Sequence, residues 1–252
     1  MQKTVLITGA SSGIGAALAL EFAARGYDCA VSARRVENLR TLQQQIQRQW
    51  PQRKVHVAAL DVTDHDAVFA HLTAARAVLG ALGIVVANAG VAAVGSVGTD
   101  RFGIDRVTIE TNVLGAMATA DAAIAAFRQQ GWGRLVVISS VAAFRGLPGN
   151  AAYSASKAAI ATYADAVRAE VRGTAIGVTT LYPGFIDTPM NDKMKSRPFL
   201  IDVTKGARLM ANLIERGVQA ATVPALPWSV LARLLPLLPV GVLARASSGG
   251  NR

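Results

Sequence analysis

Seven short apolar runs alternate along this chain with longer stretches in which apolar residues recur every three or four positions. The runs at 4–7, 29–33, 54–59, 84–87, 135–139, 177–181 and 220–223 predict strands. The stretches at 13–25, 36–50, 64–79, 102–129, 151–172 and 202–216 predict helices. Strands apolar on both faces and separated by crossover helices belong to a parallel sheet covered on both sides. Right-handed crossovers then give an α/β chain with a three-layer α/β/α Rossmann fold, a doubly wound parallel seven-stranded sheet. No repeat or linker interrupts the pattern, so one domain is expected over 1–252, with a hydrophobic C-terminal extension at about 225–246.

Composition adds exclusions more than assignments. With 252 residues, 52% hydrophobic and 17% charged, the chain can build one sizeable core. Its single cysteine, Cys29, sits in an apolar run, which excludes an intramolecular disulfide and suits a reducing interior. His56, His65 and His71 are scattered among non-ligand residues, so no metal is expected. The formal charge of +10 could attract nucleic acid or anionic lipid, or steer an anionic cofactor. Lysine and arginine are spread along the whole chain without zinc-finger spacing or RNA-binding aromatics, so no nucleic-acid role is expected. The opening strand already feeds the first loop, which argues against a cleaved signal peptide, and no uncharged apolar run is long enough to span a bilayer. A cytoplasmic location follows as the expectation.

Two motifs carry chemistry. After the first strand comes T-G-A-S-S-G-I-G at 8–15, with Gly9, Gly13 and Gly15 in a turn that opens a helix. Glycines let the backbone approach a ligand, and free N–H groups at the helix start favour a diphosphate; the same turn could also be a plain strand-to-helix connection. The spacing G-x-x-x-G-x-G differs from the common dinucleotide fingerprint and lacks the lysine of a P-loop. The second motif is Tyr153 with Lys157 four residues later, which a helix brings to one face. A phenol is a poor proton carrier near neutrality unless a neighbouring cation favours its ionised form. Alone, the pair also fits a solvated helix face.

Taken together, these residues resemble the short-chain dehydrogenase/reductase family over roughly 3–223. The 8–15 loop is similar to the family's glycine-rich cofactor motif; Asn88-Ala89-Gly90 resembles its N-A-G; Tyr153-Ser154-Ala155-Ser156-Lys157 its Y-x-x-x-K; and Pro183-Gly184 the P-G after the sixth strand. Asn112 and Ser140 fall where the family places its remaining catalytic residues, and Ala87 stands where many members carry a further Asn. The resemblance implies an oxidoreductase that interconverts a carbonyl and an alcohol. Tyr153 would be the general acid/base, Ser140 would hold the substrate oxygen, and Lys157 would lower the Tyr153 pKa and bind nicotinamide ribose. Asn112 would support a helix irregularity and a water relay. Gly9, Ser11, Ser12, Gly13, Ile14, Gly15, Pro183, Gly184, Ile186 and Thr188 would then join Tyr153 and Lys157 around a dinucleotide. Asp61 and Val62 resemble the pair that contacts adenine. A protein that binds the cofactor as a redox sensor or scaffold, without turnover, is the alternative.

Cofactor choice is read at the end of the second strand, where a diol-binding carboxylate would favour NAD. Ala33 is followed there by Arg34 and Arg35, while Asp28 lies at the strand's other end; missing acid and present base point to NADP(H). Val94, Ser140, Phe144, Tyr153, Phe185 and Met190, with the segment 186–199, are expected to line a pocket for a hydrophobic small-molecule carbonyl or alcohol. The resemblance also implies a homodimer or homotetramer through the long helices. In the tail, three prolines and Arg233 argue against a spanning helix, while Trp228, the leucines and Arg245 admit three readings: pocket lid, oligomer contact or peripheral membrane contact. Residues 247–252 are expected to fray.

Overall fold

All seven apolar runs form one parallel sheet in the computed structural model, which describes residues 2–192, 194 and 196–248. In chain order the strands are β1 (Thr4–Thr8), β2 (Asp28–Ala33), β3 (Val55–Ala59), β4 (Ile84–Ala87), β5 (Trp132–Ile138), β6 (Ala175–Pro183) and β7 (Ala220–Val223). The helices are α1 (Gly13–Ala24), α2 (Val36–Gln49), α3 (His65–Leu79), α4 (Phe102–Ile109), α5 (Gly115–Gln130), α6 (Ala151–Glu170), α7 (Val203–Glu215), α8 (Trp228–Leu234) and α9 (Val240–Ser248). Strand order is β3-β2-β1-β4-β5-β6-β7. The chain winds outward from β1 to β3, then crosses to the other side of β1 for β4. Loops leaving β1 and β4 therefore diverge and open a crevice at their carboxyl ends, where α/β sheets bind ligands.

Strand alternation builds two cores. Val5, Ile7, Cys29 and Val31 meet Leu18 and Phe22 of α1, Leu39 of α2 and Met210 of α7. Leu6, Ala30 and Val85 meet Leu72 of α3, Ala123 of α5 and Ile160 of α6 on the opposite face. Burying one such large side chain contributes roughly 1.5–3 kcal/mol. Helix propensities among ordinary residues differ by under about 0.7 kcal/mol, so packing, more than local preference, decides these elements. Cys29 belongs to this core; burial pushes its thiol up to about 12 and keeps it unreactive.

Packing and capping also explain where boundaries move. β5 starts three residues before the predicted 135, because Trp132 and Gly133 pair in register with Ala175 and Ile176 despite breaking the apolar run. Asp64 and Asp202 stand outside their helices as N-caps, accepting from Ala67 N and from Thr204 N and Lys205 N. The helix predicted over 102–129 is interrupted by a π turn at Glu110–Leu114 between α4 and α5. The tail forms two short helices joined by a 3-10 turn, and α9 holds Ser247 and Ser248; the rest of the end expected to fray, 249–252, lies outside the described residues. Among the described residues, no helix is long and apolar enough to cross a membrane.

Candidate active site

A cavity of about 540 Å³ opens at the carboxyl ends of the strands. Gly9, Ser11, Ser12, Gly13, Ile14 and Gly15 line its middle with Asn88, Ala89 and Gly90. Arg34, Arg35, Asp61 and Val62 line the β2–β3 end. Tyr153, Lys157, Ser140, Pro183, Gly184, Ile186 and Thr188 line the β5–β6 end. One elongated space thus joins residues drawn from most of the chain.

The middle of this space is shaped by backbone. Gly9 has φ +68°, and a Cβ there would lie 2.6 Å from Ala89 Cα, so only glycine fits between the loops after β1 and β4. Asn88 fastens the two loops by donating from Nδ2 to Thr8 O at 2.9 Å and Gly9 O at 3.2 Å. Thr8 Oγ1 accepts from Asn88 N and Ala89 N, each at 3.2 Å. No side chain caps the α1 N-terminus, where Ser12 is the N-cap residue. The first-turn N–H groups and the helix dipole therefore face a cradle that a β-carbon would fill, and this fits a diphosphate.

At the β2–β3 end the cations are exposed. Arg35 Nη2 donates to Ser12 Oγ at 2.7 Å and Ser11 Oγ at 3.1 Å, so its guanidinium lies over the glycine loop. Arg34 Nη1 approaches Asp61 Oδ2 at 3.8 Å. Burial raises the Asp61 carboxyl, but the Thr63 N–H and hydroxyl, aided by Arg34, outweigh it and hold Asp61 below its ordinary value. Asp28 sits at the far end of β2, where it accepts from Lys54 N at 3.0 Å, and so cannot supply the missing carboxylate.

Tyr153 hydrogen-bonds Ser140 at the other end. Ser140 also N-caps the 3-10 turn Val141–Ala143, its Oγ accepting from Ala142 N at 3.1 Å. Lys157 is buried; its Nζ donates to Ile138 O at 3.0 Å and lies 5.8 Å from the Tyr153 ring centroid. Ser139 Oγ donates to Lys157 O at 2.8 Å and fixes α6 against β5. Burial pushes Lys157 down to about 8. It also pushes Tyr153 up, the Ser140 hydrogen bond working against it. A lowered phenol was the expectation; here desolvation outweighs the nearby cation, which bonds a carbonyl rather than the phenol oxygen.

Asn112 lies in the π turn, behind the cavity wall rather than on it. Its Oδ1 accepts from Val91 N at 2.8 Å, while Nδ2 donates to Val91 O at 2.9 Å and Ser156 Oγ at 3.0 Å. Ser156 Oγ in turn donates to Tyr153 O at 2.7 Å. The side chain thus ties the loop after β4 to the turn of α6 that carries Tyr153. Its polar atoms are engaged there and not with Lys157.

Of the six residues expected around substrate, Ser140, Tyr153 and Met190 line the cavity and three do not. Phe144 stacks on Tyr182 with centroids 4.7 Å apart, Phe185 packs toward Trp228 at 6.2 Å, and Val94 is an exposed loop residue. All three are apolar residues close to a motif in sequence, and proximity in sequence does not fix side-chain direction. Pro189 and Asn191, within the segment 186–199 expected to wall the pocket, and Ala33 at the end of β2 line the space as well, and Leu60, Val91, Ala92, Thr111, Ile138 and Ser139 line it without a sequence expectation behind them. Most of them adjoin a motif, and that adjacency was the available signal.

The family model described as short chain dehydrogenase matches residues 3–198. An uncharacterized oxidoreductase of Mycobacterium tuberculosis is 40% identical over 242 residues, covering 94% of this chain and 94% of its own. A short chain dehydrogenase/reductase from Burkholderia phymatum in complex with NAD has a TM-score of 0.83 at 22% identity, covering 92% of each chain, a likeness of fold alone. A variant of actinorhodin polyketide ketoreductase with NADPH has a TM-score of 0.80 at 27% identity, covering 88% of this chain and 95% of its own.

Proposed function

This chain belongs to the short-chain dehydrogenase family of oxidoreductases, and we propose that it uses NADP(H) to interconvert a carbonyl and a secondary alcohol on an apolar small molecule. The observation that carries the reading is one cavity with Tyr153, Ser140 and Lys157 at one end and Arg34 and Arg35 at the other. Bound nicotinamide supplies or accepts the hydride. Tyr153 Oη gives the proton to the carbonyl oxygen in reduction and takes it back in oxidation, while the Ser140 hydroxyl orients the same oxygen. Burial keeps the phenol protonated at rest, which is the form reduction consumes. Lys157 holds a cation beside the ring, and in this reading it binds the ribose hydroxyls.

NADP(H) is favoured over NAD(H) because β2 ends in Ala33 followed by two guanidinium groups, and the carboxylate at this end, Asp61 after β3, already faces Arg34. The reading includes a homodimer or homotetramer through α5 and α6, whose exposed small residues, among them Ala125, Ala155, Ala159 and Thr162, would let partner helices approach closely. A panel of apolar aldehydes and ketones assayed for NADPH oxidation tests the activity. Tyr153→Phe should keep NADPH affinity and lose about 10²–10⁴-fold in turnover. Near-normal turnover by that variant, on a carbonyl the wild type reduces, would mean that another group carries the proton. NADPH binding without turnover of any carbonyl would leave the non-catalytic reading in its place.

A further inference from the structure

The tail presents apolar side chains outward from an anchored backbone. Trp228 and Leu243 are buried, and Arg145 Nη2 donates to Leu238 O at 3.2 Å, which pins the turn between α8 and α9 to the loop that follows Ser140. Yet Leu226, Leu237 and Val240 are 70%, 77% and 72% exposed. The apolar surface continues toward the cavity mouth. Phe199, 55% exposed, stands edge-on to Trp228 with centroids 5.8 Å apart, and exposed Met190 lines the cavity itself. Scattered exposed leucines are ordinary on a protein surface; a cluster of them bordering an active-site mouth marks an interaction face.

Charge distinguishes the partner. Residues 226–248 contain two arginines, Arg233 and Arg245, and no acidic side chain. Pairing with a second copy about a two-fold axis would oppose this cationic segment to its own image, which like-charge repulsion disfavours. An anionic lipid surface accepts both parts at once, taking the aliphatic side chains into its interface and the arginines among its headgroups.

We propose that the tail, with Phe199 and Met190 beside it, docks the protein on anionic lipid so that its catalytic cavity opens toward the membrane surface. The consequence that apolar substrate enters from lipid rests on the oxidoreductase reading; the docking itself does not. Flotation of the full chain with vesicles of phosphatidylglycerol and phosphatidylcholine, against phosphatidylcholine alone, tests it. Wild-type protein should float with the anionic vesicles and be released by salt. Leu237→Asp combined with Val240→Asp should weaken that binding at least about tenfold while NADPH-linked reduction of a water-soluble carbonyl is unchanged. If the double variant fails to fold, Leu226→Ser with Val240→Ser is read in the same assay. Wild-type protein that does not float overturns the proposal, as does flotation indifferent to the substitutions. A dimer that the substitutions dissociate, found in wild-type protein that ignores vesicles, overturns it in favour of a self-interface. Flotation without any carbonyl reduction leaves docking intact and removes the oxidoreductase reading instead.

Discussion

The two ends of the cavity hold their cations in opposite ways. At the β2–β3 end Arg34 and Arg35 are exposed, and Arg35 is held by the hydroxyls of Ser11 and Ser12. At the β5–β6 end Lys157 is buried against Ile138 O, and burial pushes it down to about 8. Charge in water is easily kept, so the wet end holds two guanidinium groups without displacing them from their charged form. Charge in the dry end is costly, so burial holds Tyr153 in its protonated form and brings Lys157 down toward neutrality. Similar side-chain charge is therefore held differently at the two ends of one groove because hydration differs.

The largest effect that can break this comparison lies in the stability of the dry end. Lys157 titrates near 8 when folded and near 10.5 when unfolded. Between those values the unfolded chain binds more protons than the folded one, so the lysine's contribution to stability rises with pH across that window. Below about 8 the whole desolvation cost is present, on the order of 3 kcal/mol at about 1.4 kcal/mol per pH unit. Lys157→Met should remove much of that cost at pH 7 and flatten the rise. Denaturant unfolding of both proteins across the alkaline range gives the difference curve, which cancels the tyrosines common to both. Parallel curves would mean that the lysine is effectively hydrated and that both ends are wet.

Next comes cofactor choice at the wet end. A charge-assisted bond contributes roughly 1.5–3 kcal/mol, which corresponds to about a 10–150-fold preference for NADPH over NADH. Arg35→Gln should cut that preference by about tenfold and weaken its salt dependence, while stability moves by no more than about 0.5 kcal/mol, as for an exposed substitution. Calorimetric titration with both cofactors decides it. Equal affinities in the wild type would dismiss the guanidinium pair as a solvated surface feature.

Hydration also accounts for what the sequence made legible. Positions where two backbone segments approach closely demand one residue type: Gly9, squeezed against Ala89, is legible because no side chain substitutes for it. The sheet was equally readable, since strands buried on both faces leave unbroken apolar runs. Where side-chain direction mattered, reading failed: Phe144 turned to Tyr182 and Phe185 toward Trp228, leaving main chain and small residues such as Ala92 on the wall. The direction of the Tyr153 shift was missed for a related reason. Spacing gives the distance to Lys157 but says nothing of how much water surrounds either group.

The smallest effect tests whether the tail is separable from the cofactor end at all. Trp228 packs over Gly184 so tightly that a Cβ on the glycine would lie 2.1 Å from Nε1. That indole N–H is buried without a protein acceptor, so its desolvation is uncompensated. Trp228→Phe removes the unpaired donor and part of the ring together. The relief of an unsatisfied group and the loss of packing oppose each other, so stability should change by less than about 1.5 kcal/mol. Gly184 nevertheless loses the surface that holds it against the cavity, and the cofactor-binding wall loosens with it. NADPH affinity should fall by a few fold, with the NADPH-to-NADH ratio unchanged because Arg34 and Arg35 lie at the other end. Titration of both cofactors, read beside KM for a bulky carbonyl, separates the cases. A rise in that KM with NADPH affinity untouched would make α8 a lid over substrate and nothing more; a fall in both cofactor affinities makes it part of the floor on which the nicotinamide end is built.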